Sequence, residues 1–175
     1  MIYLSTNPYK ITEAKTIFND KYGLDIEAVN PDFEIYEIQA KTCGEVVAFS
    51  VQYAADRLGQ PCLKSDTGLY VEALGGLPGP YNAYFDKQIG VEKFLAMLVN
   101  ESNRKARIEH CFAYCEPGKE PVVFSGGSTG TIAKNRVVGM VVGMIFSIFR
   151  MEKLKLWLRL AMKTQRKRFS TMAML

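Results

Sequence analysis

Four cysteines in 175 residues are few for a disulfide framework and suit reduced, cytosolic thiols. The paired Cys-x-x-Cys knuckles of zinc sites are absent. His110, Cys111 and Cys115 lie in a strand-like stretch and read as core residues rather than metal ligands. No cationic, apolar, small-residue leader opens the chain, so secretion is not expected and a cytoplasmic setting is. The longest apolar run, Val137 to Phe149, falls short of the roughly 20 residues a bilayer span needs. Internal repeats, low-complexity linkers and the GxxxxGK[ST] spacing of a Walker loop are also missing.

What is present is an ordinary globular balance, 48% apolar and 23% charged. The length suits one domain or one two-lobed unit, which at this size buries roughly two-thirds of its unfolded surface without staples. The net charge of +4 is local: Arg150, Lys153, Lys155, Arg159, Lys163, Arg166, Lys167 and Arg168 crowd one stretch against a single acid, Glu152. The rest of the chain carries 14 basic and 17 acidic residues, net −3, so no nucleic-acid partner is expected for the body.

Met1 to Ser5 reads as a short buried strand. Asn7-Pro8 then opens a helix whose inner face carries Ile11, Ala14, Phe18 and Tyr22, stopped by Gly23. Residues 24–29 read as a strand, 30–43 as a loop, and 44–58 as a helix with Val47, Val51, Ala54, Ala55 and Leu58 inward. A strand begins at Pro61, and 65–80 is a turn-rich region. A helix is expected over 91–99, then strands over 106–114 and 122–132 around Glu116-Pro117-Gly118. Helices and strands alternate and a hairpin follows, which is an α/β unit with a mixed sheet.

Four segments could carry chemistry. Ser5-Thr6-Asn7-Pro8-Tyr9-Lys10 sits at a strand-to-helix junction, where free amides favour an anion and Asn7 and Lys10 could extend the grip; plain helix capping explains it equally. Ser65-Asp66-Thr67-Gly68-Leu69 follows a strand, the place where open α/β sheets bind ligands. There Asp66 could hold Mg²⁺ and Thr67 could donate to a phosphate; an Asx or ST turn with Gly68 at positive φ is the plainer alternative. Leu74-Gly75-Gly76-Leu77-Pro78-Gly79-Pro80-Tyr81 suits either close approach to a ligand or a rigid turn. Glu37-Ile38-Gln39 offers a loop carboxylate for Mg²⁺, although most surface glutamates are merely solvated.

Taken in order, these segments resemble the inosine triphosphate pyrophosphatase family, the noncanonical purine NTP pyrophosphatases or XTP/dITP diphosphatases. The resemblance rests on Ser5-x-Asn7-x-x-Lys10, Glu37-Ile38-Gln39, Ser65-Asp66-Thr67-Gly68-Leu69, the 74–81 segment and Phe124-x-Gly126-x-x-x-Gly130-x-Ile132. It implies a two-lobed mixed β-sheet flanked by helices, with a central nucleotide cleft, in a homodimer. It further implies Mg²⁺-dependent cleavage of the α–β phosphate bond of ITP, dITP or XTP to monophosphate and pyrophosphate. On this resemblance Ser5, Asn7, Lys10 and Thr67 hold the triphosphate, Glu37 and Asp66 hold the metal, and Asp66 also activates the attacking water. Ser50 departs from the pattern, near where some members place a phosphate-binding lysine.

The resemblance covers residues 1–135 and stops at a divergent basic tail, 136–175. The family's later G-x-G-Y-D, P-x-G and T-x-A-E motifs are missing, and no acid lies between Glu120 and Glu152. Codons formed from the third base of one codon and the first two of the next partly restore them. Met140/Val141 forces Gly, Met144/Ile145 forces Asp and Met151/Glu152 forces Gly, each at the family's spacing. A reading-frame change between Gly130 and Met140 accounts for this. The resemblance then implies reduced turnover and weak choice of base, and an inactive remnant that still binds Mg²⁺-nucleotide is the alternative. A membrane-surface role for the tail, whose Leu154, Trp157, Leu158, Ala161 and Met162 share a helical face, is disfavoured against a basic helix without a partner.

Overall fold

A computed structural model describes residues 1–135 apart from Tyr22 and Leu24. The apolar run 137–149, the basic tail and its amphipathic face lie outside the described residues, as do the codons after 135 that the frame change concerns. Strands β1 (Ile2–Leu4), β2 (Glu27–Val29), β3 (Cys62–Val71), β4 (Pro78–Gly79), β5 (Lys105–Cys115) and β6 (Val122–Thr131) form one sheet. Its order is β2-β1-β3-β5-β6, with β4 pairing β3. β1 runs parallel to β2 and β3, whereas β4 is antiparallel to β3, so the sheet is mixed as expected. Adjacent β5 and β6 are joined only by 116–121, too short for a parallel crossover.

Helices α1 (Pro8–Lys15), α2 (Cys43–Leu58), α3 (Asn82–Gln88) and α4 (Gly90–Met97) complete the described elements. α2 follows from its sequence. Thr42 caps Glu45 N while Glu45 returns to Thr42 N, a reciprocal capping box, and Gly59 ends the helix at φ 67°. The inward face of Val47, Val51, Ala54 and Ala55 is fully buried. α1 continues through a π-helical turn, Thr16–Lys21, that the apolar spacing does not announce.

The fold divides into two compact units. The first comprises Met1–Asp66 and Cys111–Phe124. Its core gathers Leu4, Cys62, Cys111, Ala113 and Cys115 with the buried face of α2. All four cysteines are thiols outside any disulfide, and Cys43 Sγ and Cys111 Sγ approach to 2.8 Å. Strand alternation turns His110 to the opposite face from Cys111 and Cys115, so these three do not converge on one metal.

The second unit comprises Thr67–His110 and the described residues from Ser125 onward. Its core packs Leu69, Val71, Phe94, Leu98, Ala106, Ile108 and Ile132. Here the 65–80 expectation needs correction, because 65–71 continues β3 rather than turning. Gly68 is not at positive φ. A Cβ there would come within 2.5 Å of the Tyr70 ring, so glycine makes room for an aromatic two residues on. The 74–81 segment does turn: Gly75 caps a short 3₁₀ turn at φ 62°, and Pro78–Gly79 returns to pair with Leu69 and Tyr70.

Gly127 shows a tighter constraint, since a Cβ there would run into the Ile108 carbonyl oxygen. Backbone cannot swing aside as a side chain can. Gly127→Ala is therefore expected to destabilise the fold by about 1–3 kcal/mol, read from the midpoint of urea unfolding.

Candidate active site

The site in the first unit begins where β1 ends. The parallel register of β1 with β3, Ile2 opposite Cys62 and Tyr3 opposite Leu63, brings Ser5 and the start of α1 beside Ser65 and Asp66. Asn7 is the N-cap, and its Oδ1 accepts from Tyr9 N at 3.0 Å and Lys10 N at 3.4 Å. Asn7 N donates to Ser5 Oγ at 3.2 Å. Pro8 has no N–H to offer. The first-turn amides are thus already engaged by the cap, and the cation for an anion at this helix start is the Lys10 side chain.

Lys10 Nζ reaches across to β3. It donates to Ser65 O at 3.3 Å and stands 3.6 Å from Asp66 Oδ1. Glu13, one turn further along α1, is pushed up by burial while the Lys10 ammonium pulls its carboxyl down. Tyr3 Oη and Ser65 Oγ share a hydrogen bond of 2.6 Å. Burial pushes the Tyr3 hydroxyl up to about 12.

That shift has a sign. The unfolded chain ionises Tyr3 near pH 10, whereas the folded chain resists until about pH 12. The stabilisation is therefore intact below pH 10 and lost as pH rises from 10 towards 12, roughly 2–3 kcal/mol in all. Unfolding midpoints measured from pH 9 to 11 are expected to fall in the wild type and to fall less steeply in Tyr3→Phe.

Glu37 lies in the coil between β2 and α2, and its Oε1 accepts from Lys64 Nζ at 2.6 Å. Lys64 is 12% exposed and Glu37 56%. Sequence reasoning passed over Lys64. The available signal was alternation, which puts Lys64 on the same face of β3 as Asp66 and the buried Cys62. A pocket of about 340 Å³ is lined by Ser5, Asn7, Lys10, Glu37, Lys64 and Ser65, with Pro31, Phe33 and Ile35 as an apolar wall. Four of the six expected site residues thus line one pocket, and Asp66 joins it through Lys10.

Thr67 belongs to the second unit. Its hydroxyl lies 3.0 Å from His110 Nδ1, and its carbonyl accepts from Asn82 Nδ2 at 2.9 Å. Neither Asn82 nor His110 was signalled as a partner of Thr67 by spacing. Ser50 is fully buried and donates to Val46 O at 2.7 Å, so it faces the core and not a ligand.

The donor set can be tested against a divalent cation. Glu37 and Asp66 offer hard carboxylate oxygens, which Mg²⁺ prefers, and each sits beside an ammonium group. Phosphate needs cations too, and Lys10 and Lys64 supply them in the same pocket.

Comparison with known proteins bears on the whole described region. A dITP/XTP pyrophosphatase of Methanopyrus kandleri is 42% identical over 134 residues, spanning 77% of this chain and 70% of that protein. An inosine triphosphate pyrophosphatase of Puccinia graminis f. sp. tritici is 35% identical over 140 residues, 78% and 72% of the two chains. The solved structure of the Staphylococcus aureus Ham1 protein superposes with a TM-score of 0.71 at 30% identity, covering 87% of this chain and 82% of that one. A model of the Ham1 family matches residues 1–144, and with it the resemblance read from the motifs is borne out: the chain belongs to the Ham1 family.

Proposed function

We propose that this chain is a hydrolase of noncanonical purine nucleoside triphosphates, ITP, dITP or XTP, giving the monophosphate and pyrophosphate. The observation that carries this is one pocket lined by Lys10, Lys64 and Glu37, with Lys64 paired to Glu37 and Lys10 standing 3.6 Å from Asp66. The pyrophosphatase names of the relatives support the same substrate class.

Ser5, Asn7 and Lys10 hold the polyphosphate, with Lys10 supplying the charge and Asn7 keeping α1 in place. Asp66 accepts the proton of a water that attacks the α-phosphorus. The new bond joins the water oxygen to phosphorus, the bond to the β-phosphate oxygen breaks, and pyrophosphate leaves with its electron pair. Glu37 and Asp66 are the carboxylates that would hold Mg²⁺, which when bound offsets phosphate charge and stabilises the leaving pyrophosphate. Thr67 is a further phosphate contact, its hydroxyl fixed by His110. A homodimer and a cytoplasmic setting belong to the same reading; among the described residues no helix is long and apolar enough to cross a membrane.

The test is product analysis in ¹⁸O-water. ITP should give IMP carrying the label and unlabelled pyrophosphate; label in pyrophosphate, or release of orthophosphate, would refute attack at the α-phosphorus. Residues 136–175 carry none of the resembling family's later motifs. Rates on ITP and ATP are therefore expected to differ little, and turnover to be low, when the two substrates are compared side by side.

A further inference from the structure

Lys64 and Glu37 are unequal partners. Lys64, on β3, is withdrawn from water at 12% exposure, and an ammonium so placed needs an anion beside it. Glu37 is 56% exposed on coil, so its carboxylate can turn to water at little cost. Both line the pocket that Lys10 also lines, so an entering polyphosphate meets two ammonium groups and two carboxylates, Glu34 and Glu37. The carboxylates repel it, whereas Lys64, freed from Glu37, can accept it.

We infer that Lys64 exchanges partners. It holds Glu37 until a polyphosphate enters, then turns to a phosphate oxygen and releases the Glu37 carboxylate to a divalent cation. This rests on the function proposed above and adds to it a residue that couples the two ligands. Lys64 touches the polyphosphate itself, and it acts on the metal only through Glu37. Two consequences follow from charge alone. A divalent cation by itself must compete with Lys64 for Glu37, and a polyphosphate by itself depends on Lys64 for part of its grip.

The experiment titrates the full chain with two probes, Mn²⁺ alone followed by the EPR signal of the free ion, and inorganic tripolyphosphate in EDTA followed by calorimetry. Lys64→Met is expected to bind Mn²⁺ about fivefold or more tightly, and tripolyphosphate about fivefold or more weakly, than the wild type. Lys64→Arg, which keeps the charge, should return both affinities towards wild type. Circular dichroism checks folding, and Lys64→Gln carries the same expectation should the methionine variant not fold. Unchanged or weakened Mn²⁺ binding in the folded variant overturns the inference. Glu37→Gln separates the two ideas: if it leaves wild-type Mn²⁺ binding unaltered, the metal role of Glu37 fails, and with it that part of the proposed function.

Discussion

Asp66→Asn is expected to slow pyrophosphate release from ITP by about 10²–10⁴-fold, the usual cost of losing a positioned general base. The substitution keeps the shape of the side chain and removes its charge. Both roles proposed for Asp66 would be lost together, since the amide neither takes a proton from water nor offers a hard anionic ligand to a cation. The fall should appear mainly in kcat, because Lys10 and Lys64 still line the pocket and still attract phosphate. Stability should change little. The Lys10–Asp66 pair is partly exposed, at 30% and 16%, and pairs open to water contribute about 0–1 kcal/mol. Steady-state kinetics beside thermal unfolding separates the two effects.

Lys10→Met is expected to lower turnover by about 10²–10³-fold, comparable with removing one donor from a site that stabilises developing charge. The methionine keeps the apolar stem and deletes the ammonium that bonds Ser65 O and faces Asp66. The backbone amides of Tyr9 and Lys10 do not take over, because the Asn7 cap already engages them. Lys10→Arg should recover only part of the rate, since a planar guanidinium does not reproduce a compact ammonium. A kinetic series over methionine, arginine and wild type reads this directly.

How far the sequence carried these conclusions depends on the element. α2 was legible because its cap, its inward face and its terminal glycine agree. β3 was cut short because Gly68 reads as a turn, whereas in the folded chain it clears space for the Tyr70 ring. α3 went unseen: it has no side-chain cap and buries none of its residues, so neither signal of a helix was available. Within the site, Lys10 and Asp66 could be read from motifs because each sits at a strand-to-helix or strand position that such motifs mark. Lys64 could not. Its partner lies 27 residues away, and a lone lysine on a strand looks solvated until the fold buries it.

In the proposed reaction the pocket between β1, the start of α1 and β3 grips a triphosphate through its lysines. Calorimetry with α,β-methylene inosine triphosphate and Mg²⁺, comparing wild type with Lys10→Met, measures that grip. One molecule should bind per wild-type chain, and the variant should bind about tenfold or more weakly, a difference of about 1.4 kcal/mol or more. Equal affinity in a folded variant would overturn this reading, because the triphosphate would then be held without the ammonium that faces Asp66.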